Sequence, residues 1–129
     1  MEKRADTLSV YGHRKMIYWQ NLDKLEILVQ KEMLPCIPKF EFNLRDQIDR
    51  ACSSSIANFI EGYYSGSLKE YLRFCGYSKR SLGELEERVR RIYRKGFIDI
   101  KIWQKFDELA NKAMYMLNRL IDSLRQKSP

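Results

Sequence analysis

At 129 residues and 44% apolar content, the chain is one ordinary folded domain, too short for two and too apolar for a disordered basic tail. Its 24 Lys and Arg against 17 Asp and Glu leave a net charge of +7, which favours polyanionic partners without specifying one. No apolar run approaches the roughly 20 residues of a membrane span and the N-terminus lacks a signal-peptide core, so a cytoplasmic protein with no membrane contact is expected.

Residues 1–10 show no sustained period and read as a flexible lead-in, which leaves 11–129 as a single domain. From about Tyr11 to Leu34 the chain is rich in helix formers. Tyr18, Leu22, Leu25, Val29 and Met33 make one face of that helix, and Pro35 and Pro38 stop it. Asn43 is placed to cap a second helix, with Asp46 in its first turn and an apolar face of Leu44, Ile48, Cys52, Ile56 and Phe59. The same helix carries a second, smaller stripe. Ala51, Ser55, Asn58 and Gly62 recur at i, i+4, i+7 and i+11, which lets another helix backbone come close while the apolar stripe supplies burial. Ser and Asn each cost roughly 0.5 kcal/mol against Ala in a helix interior. Packing or local hydrogen bonding, and not propensity, therefore sets Ser53, Ser54 and Ser55.

Gly62 to Gly66 reads as a turn, and Ser67 with Glu70 as a capping box that opens a third helix. Its interior positions Tyr71, Cys75, Ser78, Leu82, Leu85, Val89 and Ile92 alternate steps of four and three, the seam of a bundle. Gly96 ends it, and Asp99 caps a fourth helix whose face is Ile102, Phe106, Leu109, Ala113, Met116 or Leu117, Leu120 and Leu124. No segment has the period of a strand. The expected fold is all-α, an up-down-up-down four-helix bundle. Tyr63, Tyr64, Tyr77, Phe97 and Trp103 exceed what the four seams need and are assigned to an oligomer interface.

Catalysis finds little support. Cys36, Cys52 and Cys75 are odd in number, far apart and free of any Cys-x-x-Cys pair, so neither a disulfide framework nor a zinc site is indicated. A carboxylate metal centre in a four-helix bundle needs Glu-x-x-His pairs, and the single histidine, His13, is expected at the surface near the N-terminus. The cysteines and serines have no nearby histidine as a base, and no glycine-rich phosphate loop follows a strand. No catalytic residue, cofactor, metal or small-molecule substrate is expected.

The concentrated feature is cationic. With Val89 and Ile92 in the seam, Arg88, Arg91 and Lys95 fall along one outer line of the third helix and Arg90 with Arg94 along another. Lys101 and Lys105 open the next helix close by, Tyr93 adds an aromatic able to stack on a base, and Lys69, Arg73 and Lys79 extend the track. Three readings fit this patch: a solvated face with cations favoured at a helix C-terminus, a phosphate-binding surface, or a dock for an acidic protein. No base-reading motif is present, so any nucleic-acid binding is expected to be sequence-tolerant. In the central stretch, Ser55, Asn58, Glu61 and Gly62 are expected to settle packing and the turn. Arg50 is expected to form a buried or subunit-bridging pair with Glu61, Glu84 or Glu86.

Leu44, Gln47, Arg50-Ala51, Ser55-Ile56, Asn58, Glu61-Gly62, Ser67, Lys69-Glu70, Phe74 and Ser81-Leu82-x-Glu84-Leu85-Glu86 resemble the pattern of the rRNA-intervening-sequence proteins. That family includes the accessory variability determinant, Avd, of diversity-generating retroelements. The resemblance runs from about Leu34 to Ile98 and departs at Arg80, where a small residue commonly stands. It implies a homopentameric barrel of four-helix protomers without enzymatic activity. For the Avd branch it further implies a basic surface that engages a reverse transcriptase and RNA or DNA in mutagenic copying. A structural or protein-interaction scaffold with no nucleic-acid role is the other reading within the family.

Overall fold

In the computed structural model, which describes residues 10–127, every regular element is helical. The four principal helices are α1 (Ile17–Leu28), α2 (Phe42–Tyr63), α3 (Leu68–Arg94) and α4 (Ile100–Gln126). The expected lead-in falls almost wholly outside the described residues.

Each helix packs on two others, in the cycle α1, α2, α3, α4 and back to α1. The α2–α3 pair is the closest, and its direction can be read from residues that meet across it. Ser54 meets Ser81, Ser55 meets Ser78 and Gly62 meets Tyr71, so one number rises as the other falls and the helices run antiparallel. The same holds between α1 and α4, where Glu32, just beyond α1, reaches Lys105 and Leu28 lies beside Leu109. This is the up-down-up-down bundle.

The α3 seam is buried at Cys75, Ser78, Leu82, Leu85, Val89 and Ile92, with Tyr71 half-buried. All five positions of the expected first-helix face are also buried, Tyr18, Leu22 and Leu25 in α1 and Val29 and Met33 just beyond it. On α4 the core-facing stripe is rotated slightly from the expected one. Ala110 and Ile121 are buried while Leu109 and Leu120 are half-buried, and Leu117 faces the core in preference to Met116.

The first helix differs from expectation at both ends. Gly12–Lys15 forms a separate 3-10 turn, and Met16 is extended (φ −75°, ψ 127°) before α1 begins. Tertiary docking overrides propensity here. His13 is buried rather than at the surface, its Nδ1 2.9 Å from the Tyr64 hydroxyl and its ring edge-on to Trp19, Tyr63 and Tyr64. At the other end the helix widens into a π turn, Val29–Met33, then tightens into the 3-10 turn Leu34–Cys36. Pro35 has no N–H to continue the i to i−4 ladder.

Asn43 is not the cap of α2; it is exposed inside the first turn. The chain enters through a 3-10 turn, Lys39–Glu41, and the N-cap residue Glu41 makes no side-chain cap. The Glu41 carboxylate pairs instead with Lys95 at 2.8 Å. Ser67 does cap α3, accepting from the Glu70 amide at 3.3 Å. The reciprocal half of the box is absent, because Glu70 pairs with Arg73 at 2.8 Å and the Ser67 amide turns to Ser65 Oγ. Asp99 caps α4, accepting from Ile102 N at 2.9 Å. Gly96 (φ 80°) closes α3 in a Schellman arrangement, with Phe97 N bonded to Ile92 O and Gly96 N to Tyr93 O.

The supernumerary aromatics are occupied within the protomer. Tyr63 contacts Phe59, Tyr64 and Tyr71, while Tyr77 meets Phe74 edge-on and Trp103 stacks on Tyr93. Phe97 packs half-buried against the core, and Tyr64 is the member left mostly exposed.

Candidate nucleic-acid interface

The C-terminal turns of α3, the Gly96 turn and the first turn of α4 lie about 40 Å along the bundle from the His13 end. Arg91 and Arg94 sit in the last turn of α3, where exposed carbonyls favour positive charge, and both are exposed. Arg88 is half-buried, and its Nε is enclosed without a hydrogen-bond partner. An N–H desolvated in this way costs about 1–3 kcal/mol unless an acceptor reaches it.

The seven predicted cations do not behave as one set. Arg90 Nε lies 3.5 Å from Glu86 Oε2, and its guanidinium stands 5.8 Å from the centre of the Trp103 ring. Lys95 is paired with Glu41, and Lys105 Nζ with Glu32 Oε1 at 3.2 Å. Lys105 thereby faces α1, away from the α3 arginines. Lys101 is exposed one turn before it. Among the described residues Arg88, Arg91, Arg94 and Lys101 have no carboxylate within 4.0 Å.

Tyr93 and Trp103 face each other across the Gly96 turn with ring centres 5.1 Å apart and planes 6° apart. Sequence reasoning placed Tyr93 in the patch but assigned Trp103 to an interface. The signal was available: Tyr93 lies three residues before Gly96 and Trp103 in the first turn of the following helix, so an antiparallel hairpin brings them together. Farther along α3, Arg73 lies over Phe74 and Tyr77, while Lys79 borders a separate polar cleft with Asp122 and Arg125.

The central stretch resolves into packing. Ser55 is buried, donates to Cys52 O at 2.7 Å, and receives at its own carbonyl a 2.6 Å bond from Ser78 Oγ. Asn58 donates from Nδ2 to Ser54 O at 2.9 Å and to Ser54 Oγ at 3.0 Å, and Ser54 Oγ meets Ser81 Oγ at 2.8 Å. At Gly62 a Cβ would stand 2.7 Å from that of Phe74, which is why no larger residue fits there.

Arg50 is not in a buried pair. It is 73% exposed and bonded to Asp46 one turn earlier at 3.1 Å. Glu61 and Glu84 are exposed and have no cation within 4.0 Å among the described residues, and Glu86 pairs with Arg90. Arg50 and Glu84 nevertheless border one polar cleft with Gln47, Ser54 and Ser81. Arg80 is exposed with its guanidinium 5.2 Å from the Tyr77 ring centre, so its length does not hold α2 and α3 apart.

A family model described as 23S rRNA-intervening sequence protein matches residues 14–119, from the turn before α1 into the C-terminal half of α4. The chain belongs to the 23S rRNA-intervening sequence protein family. No curated protein matches it. In this family member no helix among the described residues is long and apolar enough to cross a membrane. Nor do any three His, Cys, Asp or Glu side chains among the described residues gather to hold a metal ion.

Proposed function

We propose that this intervening-sequence protein is a basic, non-enzymatic accessory protein that binds nucleic acid through the outer surface of its α3–α4 turn. The observation that carries the reading is the group Arg88, Arg91, Arg94 and Lys101, four cations at one end of the bundle that have no carboxylate partner among the described residues. A phosphate backbone supplies repeated acceptors for such a group, and it supplies them without regard to sequence. The Avd-like residues of α2 and α3 support the finer assignment: a homopentamer that serves a reverse transcriptase in the mutagenic copying of a diversity-generating retroelement.

The test is a titration of fluorescent single-stranded RNA and duplex DNA at several salt concentrations, with light scattering to fix the mass of the particle. Replacing Arg88, Arg91, Arg94 and Lys101 by Gln should weaken binding at least ten-fold. It should also flatten the logarithmic salt slope on a single strand by roughly 3. Unchanged affinity and slope in a folded variant would sink the reading.

The internal pairs of Arg90, Lys95 and Lys105 favour a second reading, a structural scaffold in which part of this charge is engaged within the protomer. That reading expects no measurable nucleic-acid binding at moderate salt.

A further inference from the structure

We infer that the Tyr93–Trp103 pair is a stacking platform for an unpaired nucleobase, which makes the ligand of this surface a single strand in preference to a duplex. The inference rests on the nucleic-acid reading above and names the form of nucleic acid.

Ring geometry separates this pair from the other aromatics. Most ring contacts of the described residues are edge-on or tilted, the arrangement by which a quadrupole packs one ring's edge against another's face in a core. Tyr93 and Trp103 alone among the described rings lie parallel, 6° apart. A parallel pair grows by adding a further flat ring to its outer face. On the inner side Trp103 is backed by the fully buried Phe106, ring centres 6.2 Å apart. Tyr93 is half-buried and packs against the core, and among the described residues Trp103 is the one ring in contact with it. The stack therefore has a buried foot at Phe106, and the solvent-facing part of Tyr93 is the side from which a base would reach it.

Charges at the same end of the bundle suit the backbone of such a strand. Arg91 and Arg94 share the last turn of α3 with Tyr93, and Lys101 shares the first turn of α4 with Trp103, all exposed and, among the described residues, all without carboxylate partners. Arg90, held by Glu86 beside Trp103, fixes the indole instead of contacting the ligand. Cations flanking an aromatic face are the elements that bind single strands without sequence preference, whereas a duplex keeps its base faces covered.

The decisive experiment uses the full-length protein, with a Trp19→Phe form for fluorescence, and three probes of equal phosphate number: a single-stranded oligonucleotide, an abasic strand and a duplex. The base-bearing strand should bind about ten-fold more tightly than the abasic one and quench tryptophan emission, in a Trp19→Phe background that isolates Trp103. Tyr93→Leu should remove that ten-fold advantage and leave duplex affinity and the salt slope in place. Tyr93→Trp should preserve the advantage. Equal binding of base-bearing and abasic strands would overturn the platform while leaving the charge-based reading intact. Absence of binding to all three would overturn the nucleic-acid reading, and the platform with it.

Discussion

Ser78 Oγ donates a 2.6 Å hydrogen bond to the backbone carbonyl of Ser55, so the hydroxyl that holds α3 against α2 has already used its only proton. The 2.6 Å contact between Tyr18 and Ser78 must then run from the tyrosine hydroxyl to the serine oxygen. One buried serine thus joins three helices. Burial holds the Tyr18 hydroxyl protonated, its pKa raised far above 10 against a smaller opposing effect of the Ser78 hydrogen bond.

The first prediction follows from that chain. Ser78→Ala leaves the buried Tyr18 hydroxyl without an acceptor and should cost about 1–3 kcal/mol in urea unfolding. Tyr18→Phe removes the donor cleanly and should cost about 1 kcal/mol. The double variant should lose clearly less than the sum of the two, since both delete one network. Strict additivity would mean that the contact contributes nothing.

Glycines on the two faces of α3 and α2 predict opposite outcomes for the same substitution. Gly62→Ala places a methyl 2.7 Å from Phe74 Cβ and 3.2 Å from the Tyr71 carbonyl, so α2 and α3 must separate. A loss of about 1–3 kcal/mol is expected. Gly76 and Gly83 lie mid-helix with nothing within 4 Å of an added Cβ. Each Gly→Ala change there should stabilise the isolated protomer by roughly 1 kcal/mol through propensity alone. Thermal denaturation of the three variants checks both signs at once.

Much of this was legible in the sequence where the cause is local or periodic. The α3 seam from Cys75 to Ile92 follows from its steps of four and three, and the Asp99 cap follows from a side chain reaching three residues forward. What was hidden depends on which helices become neighbours. Ser78 read as a small seam residue, but its bond to Tyr18 spans 60 positions. Lys95 and Lys105 read as members of one basic patch, yet their carboxylates, Glu41 and Glu32, come from the α1–α2 connection. His13 read as a surface residue because nothing in its own segment shows that Trp19, Tyr63 and Tyr64 will enclose it.

That enclosure sets a pH dependence. Burial first, and then the neighbouring Arg14 charge, push the His13 pKa below its ordinary 6.5. Between the unfolded value and the lower folded one, the unfolded chain binds the extra proton, so stability falls with falling pH. Above pH 6.5 the term is absent. The unfolding free energy should therefore hold steady near neutrality and decline as pH drops through 6.5, and His13→Gln should remove the decline. A variant that retains the full decline would place its origin in another group.

The three cysteines should react very unequally with a thiol reagent. Cys36 is exposed, whereas Cys52 and Cys75 are buried and burial pushes both thiols up to about 12. For Cys52 the nearby Glu26 and Asp49 carboxylates act in the same direction. Thiolate is the reacting species, so at pH 8 each buried site has only about one part in 10⁴ of its sulfur in reactive form, besides being shielded from the reagent. Native protein should thus release one equivalent of chromophore rapidly and two more only at the rate of unfolding. The slow phase should accelerate in Ser78→Ala, because loosening the α1–α2–α3 junction opens the core in which Cys75 lies. Three fast equivalents from folded protein would show that the bundle core is open to reagent, contrary to the packing described.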